Sequence, residues 1–116
     1  MPYADFQLEG TERTIRVRTK VWLEVDGKRL IGQGRATLLR LIQDTSSINA
    51  AAREMGISFR RAWSMVRDME ETIGSPLVDK KRGGVGGGEA RLTPVAFRLL
   101  ERYESIRRQF EASCGG

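Results

Sequence analysis

Between Thr14 and Asp26 the side chains alternate. Ile15, Val17, Thr19, Val21, Leu23 and Val25 fall on one side, and Arg16, Arg18, Lys20, Trp22, Glu24 and Asp26 on the other. A period of two is that of a half-buried β-strand. The Asp26-Gly27 pair that follows suits a two-residue hairpin turn, whose central positions need positive φ. Arg29, Leu30 and Ile31 then supply a returning strand, so an antiparallel hairpin is expected ahead of any helix. Trp22 lies on the polar face, where covering an adjacent helix or a second subunit is a simpler role than stacking on a base. Residues 1–13 carry no clear period and read as a loose lead-in.

After Gly32 and Gly34 the period lengthens to that of a helix. Ala36, Leu38, Leu39, Leu41 and Ile42 make the segment Arg35–Asp44 a compact apolar helix. Ser47 can cap a second helix, in which Ile48, Ala51, Ala52 and Met55 recur at i, i+3, i+4 and i+7. Gly56 supplies a left-handed stop, and Ser58 caps a third helix two residues later. Such a short elbow fits the helix-turn-helix. In the third helix Phe59, Ala62, Trp63, Val66, Met69 and Ile73 form the apolar stripe, while Arg60, Arg61, Ser64, Arg67, Asp68 and Glu71 point away from it.

Two arginines in the first turn oppose the helix dipole, at a cost of some tenths of a kcal/mol each. A broken local rule of this kind often marks a functional site. In a helix-turn-helix the first residues of the second helix meet base edges, and Arg is the commonest specific donor to guanine.

Ser75-Pro76 ends the third helix. Leu77–Lys81 reads as a strand and Ala90–Leu92 as its partner across a glycine-rich tip. Thr93 caps a last helix with Pro94 in its first position. Its stripe of Ala96, Leu99, Leu100, Tyr103, Ile106 and Phe110 is longer than a small domain needs, which suggests packing against a second copy. The expected fold is mostly α with small β elements: a winged helix-turn-helix with an N-terminal β-hairpin and a long C-terminal helix. It is expected to occupy residues 14–112, with 113–116 as a flexible tail.

At 116 residues the chain has room for one domain of ordinary size. A net charge of +5 favours an acidic partner such as nucleic acid, although acidic side chains are mixed among the basic ones. No stretch has the length and apolarity of a membrane span, the N-terminus has no signal-like apolar core, and a cytoplasmic location is expected. The single cysteine, Cys114, excludes an internal disulfide and reads as an idle thiol on a frayed end. With no histidine and one cysteine, the chain lacks the ligands for structural zinc and the usual catalytic dyads, so no enzyme, metal or cofactor is expected.

The loop RGGVGGGEAR fits neither phosphate-binding template. Gly88 is followed by Glu89 and Ala90 instead of Lys-Ser/Thr, and Glu89 stands where the dinucleotide fingerprint needs its last glycine. It reads better as a hairpin tip, Gly83, Gly84, Gly86, Gly87 and Gly88, that lets backbone approach a duplex. Lys80, Lys81, Arg82 and Arg91 flank the tip and can reach phosphates.

The run from Ile48 to Leu100 resembles the DNA-binding domain of molybdate-responsive ModE-type regulators and, more distantly, the LysR-type winged helix. The shared features are the AAREMGIS elbow, the R-R-A-W opening of the third helix, the wing ending in G-G-G-E-A-R-L-T and the Pro-started helix after it. The resemblance implies binding of duplex DNA through Ser58, Arg60, Arg61 and Ser64 and through Lys80–Gly88, while the long stripe of the last helix leads to the expectation of a homodimer joined there. Family members that sense molybdate carry it in separate C-terminal domains, so no molybdate site is expected in a chain that ends at Gly116. The other function open to this pattern is a protein-interaction module whose basic face docks an acidic partner.

Overall fold

The computed structural model describes residues 4–81 and 89–113. Three antiparallel strand pairs and four helices make it up. Phe6–Gln7 (β1) pairs with Thr14–Ile15 (β2), and Leu23–Val25 (β3) with Lys28–Ile31 (β4). Gln33–Thr45 (α1), Ile48–Met55 (α2) and Phe59–Ile73 (α3) follow. Val78–Lys81 (β5) pairs with Glu89–Leu92 (β6), and Pro94–Ser113 (α4) ends the fold. This is the mostly-α, winged helix-turn-helix architecture that the hydrophobic pattern predicts.

The N-terminal region differs from that expectation. The alternating stretch 14–25 is not one strand: β2 belongs to one hairpin, β3 to another, and residues 16–22 between them join no ladder. The cause is the length of the returning strand. β4 has four residues before Gly32 turns the chain into α1, so it reaches back only to Leu23. Side chains hold the intervening segment instead: the Val17 amide donates to Asp5 Oδ1 at 3.0 Å, and the Tyr103 hydroxyl donates to the Val21 carbonyl at 3.0 Å. Part of the expected lead-in is therefore ordered, since Phe6 and Gln7 face Ile15 and Thr14. The β3–β4 turn is as expected, with Asp26 at φ 49° and Gly27 at φ 82°.

The helix ends follow the caps in the sequence. Ser47 Oγ accepts the Ala50 amide, Ser58 Oγ the Arg61 amide and Thr93 Oγ1 the Ala96 amide. Gly56 at φ 71° closes α2, with the Ile57 amide folding back on the Ala52 carbonyl. Only α1 departs, starting two residues before the predicted Arg35 so that Gly34 lies in its first turn.

One hydrophobic cluster joins the four helices to the β3–β4 hairpin and the wing strands, while β1 and β2 are exposed outside it. Leu38, Leu39 and Ile42 of α1, Val66 and Met69 of α3, Leu77 and Tyr103 are fully buried in it. So are the small side chains Ala36, Ala51, Ala52 and Ala62, which let the first three helices approach closely. Arg40 of α1 and Glu104 of α4 form an ion pair between the two helices. The wing is tied in through β6, whose Ala90 amide donates to the Ser46 carbonyl at 2.9 Å, and its two legs are closed at the base by the Thr93 amide donating to the Leu77 carbonyl at 3.0 Å.

Asp68, expected on the solvent side of α3, instead anchors the β3–β4 hairpin. It lies 2.7 Å from Arg35 and 3.2 Å from Lys28. Hydrogen bonds from Arg35 and Lys28 hold its carboxyl below the ordinary value of 3.8. A depressed carboxylate pKa adds stability that is complete above the unfolded value and is lost as pH falls through the folded one. Asp68→Asn is therefore expected to lower stability to urea at neutral pH, with the deficit shrinking once pH drops below 3.8. A deficit that stays constant down to about pH 2 would show that the ion pairs contribute nothing.

Candidate nucleic-acid interface

The exposed face of α3 begins where the elbow delivers it. Ser58 is occupied as the cap, which leaves the Arg60 and Arg61 side chains exposed in the first turn with no carboxylate partner among the described residues. The first turn of α3 holds no acidic residue, so helix dipole and guanidinium charges both present positive potential there. Ser64 and Arg67 continue this face and are exposed. Arg67 also lies over the Trp63 ring at 5.8 Å from its centroid.

Lys80 on β5 meets α3 from the side. Its ammonium stands 4.7 Å from the centroid of Trp63 and 5.5 Å from that of Phe59. Phe59 is thus a correction to the predicted apolar stripe: it is 44% exposed and projects beyond the core toward the wing. The reason is its place in the first turn, ahead of the level at which α3 enters the core at Ala62. Such cation–π contacts contribute about 0.5–1 kcal/mol at exposed sites, enough to bias where the wing strand sits. Lys80 therefore positions the wing as well as carrying charge.

Glu70 makes the other connection. Its Oε2 accepts the backbone amides of Leu77 at 2.9 Å and Val78 at 3.3 Å, fixing the start of β5 against the last turns of α3. The hydrophobic pattern assigns Glu70 no role, and this one was missed. The one available signal was the short Gly74-Ser75-Pro76 turn, which must return the chain past the end of α3.

The remaining wing residues divide. Lys81 is exposed and has no ion pair among the described residues. Arg91 is exposed but pairs with Glu89 across 2.9 Å, so its charge is partly neutralised. Arg82 and the glycines 83, 84, 86, 87 and 88 lie outside the described residues, as does Cys114. The structure brings Arg60, Arg61, Ser64, Arg67 and Lys80 to one continuous surface on α3 and β5 and leaves Arg91 in a local ion pair.

Glu70→Ala is expected to lower stability by about 1–3 kcal/mol, because two buried-side amides lose a charged acceptor. It should also accelerate hydrogen exchange at Leu77 and Val78 selectively. Equal protection of those two amides in both proteins would remove Glu70 from the account of the wing.

Known proteins match this arrangement. The model for "Bacterial regulatory helix-turn-helix protein, lysR family" covers residues 35–97, more than half of the chain. The molybdenum-pterin-binding protein MopB of Rhodobacter capsulatus is 43% identical over 86 residues, which are 74% of this chain and 32% of MopB. The transcriptional regulator ModE of Haemophilus influenzae is 33% identical over 104 residues, 90% of this chain and 38% of that protein. The chain thus spans about a third of the length of the curated relatives it matches. Among solved structures, ArgP from Mycobacterium tuberculosis superposes with a TM-score of 0.53 at 17% identity over 70% of this chain and 28% of ArgP, a likeness of fold. The elbow, the arginine-led α3 and the wing strands all fall within the matched segment, and the chain belongs to the lysR family of bacterial regulatory helix-turn-helix proteins, with ModE-type regulators among its relatives.

Proposed function

We propose that the chain reads specific sequences in duplex DNA by docking α3 in the major groove, with no catalytic activity. The observation that carries this reading is the pair Arg60 and Arg61, exposed and free of carboxylate partners at the leading turn of α3, with Lys80 held on the flank of the same helix. Arg60, Arg61 and Ser64 contact base edges, and Arg67 extends that contact along the groove wall. Lys80, Lys81, Arg82 and the glycine tip from Gly83 to Gly88 hold phosphates and set register. Arg91 contributes less, because a phosphate must displace Glu89 from it.

The functional unit is residues 14–112, and it acts as a homodimer in the cytoplasm. What supports the dimer is the far end of α4: Tyr103 is buried, yet the same stripe continues to a half-buried Ile106 and to Phe110, which is 52% exposed. A second α4 would cover these positions, and a two-fold pair would read half-sites about one helical turn apart. No helix among the described residues is long and apolar enough to cross a membrane. The names of several relatives refer to molybdenum, but no molybdate site is assigned within this chain.

Arg60→Ala and Arg61→Ala are each expected to cost about 1–3 kcal/mol of binding to a selected site and to relax preference at one base position. Lys81→Ala should weaken all duplexes alike. Titrations of selected and scrambled duplexes at fixed salt check both. Unchanged affinity in all three variants, with binding to an acidic protein lost instead, would replace the DNA reader with an interaction module.

A further inference from the structure

The wing is not the only basic ribbon beside α3. At about 100° per residue, Phe59, Trp63 and Arg67 lie on one flank of the exposed face, and Arg61, Met65 and Asp68 on the other, with Arg60 and Ser64 between. β5 occupies the first flank through Lys80. The β3–β4 hairpin occupies the second, since Lys28 at its turn and Arg35 just beyond it bind Asp68. A cleft of about 440 Å³ opens on this side, and Lys20, Trp22, Arg29, Arg35, Met65 and Tyr103 contribute to its walls.

The charges around this cleft are sorted so that two remain unspent. Glu111 is held by Arg107, Asp68 by Lys28 and Arg35, and the Glu24 carboxylate accepts the Trp22 indole N–H at 2.8 Å. Asp26 is exposed at the hairpin turn. Lys20 and Arg29 have no carboxylate partner among the described residues. Arg29 is nevertheless held in place, its guanidinium lying 4.4 Å from the centroid of the Trp22 ring. Stacking fixes one face of the group and leaves its N–H edges for a planar or tetrahedral anion. Residues 13–31 carry six basic side chains against two acidic ones, a bias the wing strands do not have.

We propose that the β3–β4 hairpin and the segment leading into it, through Arg29 and Lys20, form a second phosphate clamp on the side of α3 opposite the wing. This rests on the reading of α3 as a major-groove helix. A helix about 10–12 Å across fills a groove about 12 Å wide, so both phosphate backbones pass close to its two flanks. The wing takes one backbone and the hairpin the other. The ribbon precedes Arg35, where the segment matched by the lysR family model begins. Asp68 would repel the duplex if free. Its ion pairs with Lys28 and Arg35 both neutralise it and set the hairpin against α3.

The test is the salt dependence of binding to a fluorescent random-sequence duplex, followed by anisotropy, for the full chain and four variants. In the double variant Lys20→Gln with Arg29→Met, the Met keeps an unbranched cover on Trp22 while both charges are lost. Each phosphate neutralised adds about 0.9 to the magnitude of the slope of log K against log salt, so this variant should lose close to 2. Lys20→Arg with Arg29→Lys should restore the slope, and Arg98→Ala with Arg102→Ala on α4 should leave it unchanged. If Lys81→Ala flattens the slope but the Gln/Met variant, with an unaltered melting temperature, does not, the second clamp is overturned while the DNA reading stands. If the native chain shows no salt-dependent binding to the random duplex, the DNA reading fails and the clamp falls with it.

Discussion

The position of α3 depends on how closely three helices can pack. Ala36, Ala51, Ala52 and Ala62 are all buried in the cluster that also holds Leu38, Leu39, Ile42, Val66 and Met69. Alanine at such crossings leaves the interhelical distance to backbone and neighbouring side chains, so larger residues there would force α3 outward at about 1–3 kcal/mol each. The basic surface keeps its geometry because α3 has one fixed seat. The capped elbow gives its direction, and the alanines give its depth.

On that seat, α3 is gripped from both sides by short ribbons too small to be stable alone. Neither two-stranded pair would hold its shape without packing against a helix. Glu70 and Lys80 bind the wing to α3, and Asp68 binds the N-terminal hairpin to it. Polar side chains of one helix thus define the geometry of the whole basic surface. The arrangement also occupies two of the acidic side chains of α3: Asp68 and Glu70 are both consumed by internal donors.

Helices α2, α3 and α4 were legible in the sequence because each starts at a cap with a local mechanism, whereas Gly32 gives α1 no side-chain cap. Ser47, Ser58, Thr93 and Gly56 act within four residues of their own positions, and a single chain displays them in full. The strand from Thr14 to Asp26 was misjudged because alternation reports a half-buried extended segment, not a ladder partner. That partner is set by the length of β4 and by Tyr103, far along the chain. The candidate site was legible in part. Arg60, Arg61, Ser64 and Arg67 do lie on one exposed face, but Lys80 over two aromatic rings, the pairing of Arg91 with Glu89, and the anchors Glu70 and Asp68 depend on approaches between elements that no local pattern encodes.

The account stands on sequence-specific docking of α3, and selection of bound duplexes from a random pool measures it most directly. It predicts enrichment of a short motif, repeated as two inverted half-sites about one helical turn apart, with strong guanine preference at the positions read by Arg60 and Arg61. A pool that binds in low salt yet remains random after repeated rounds would contradict it.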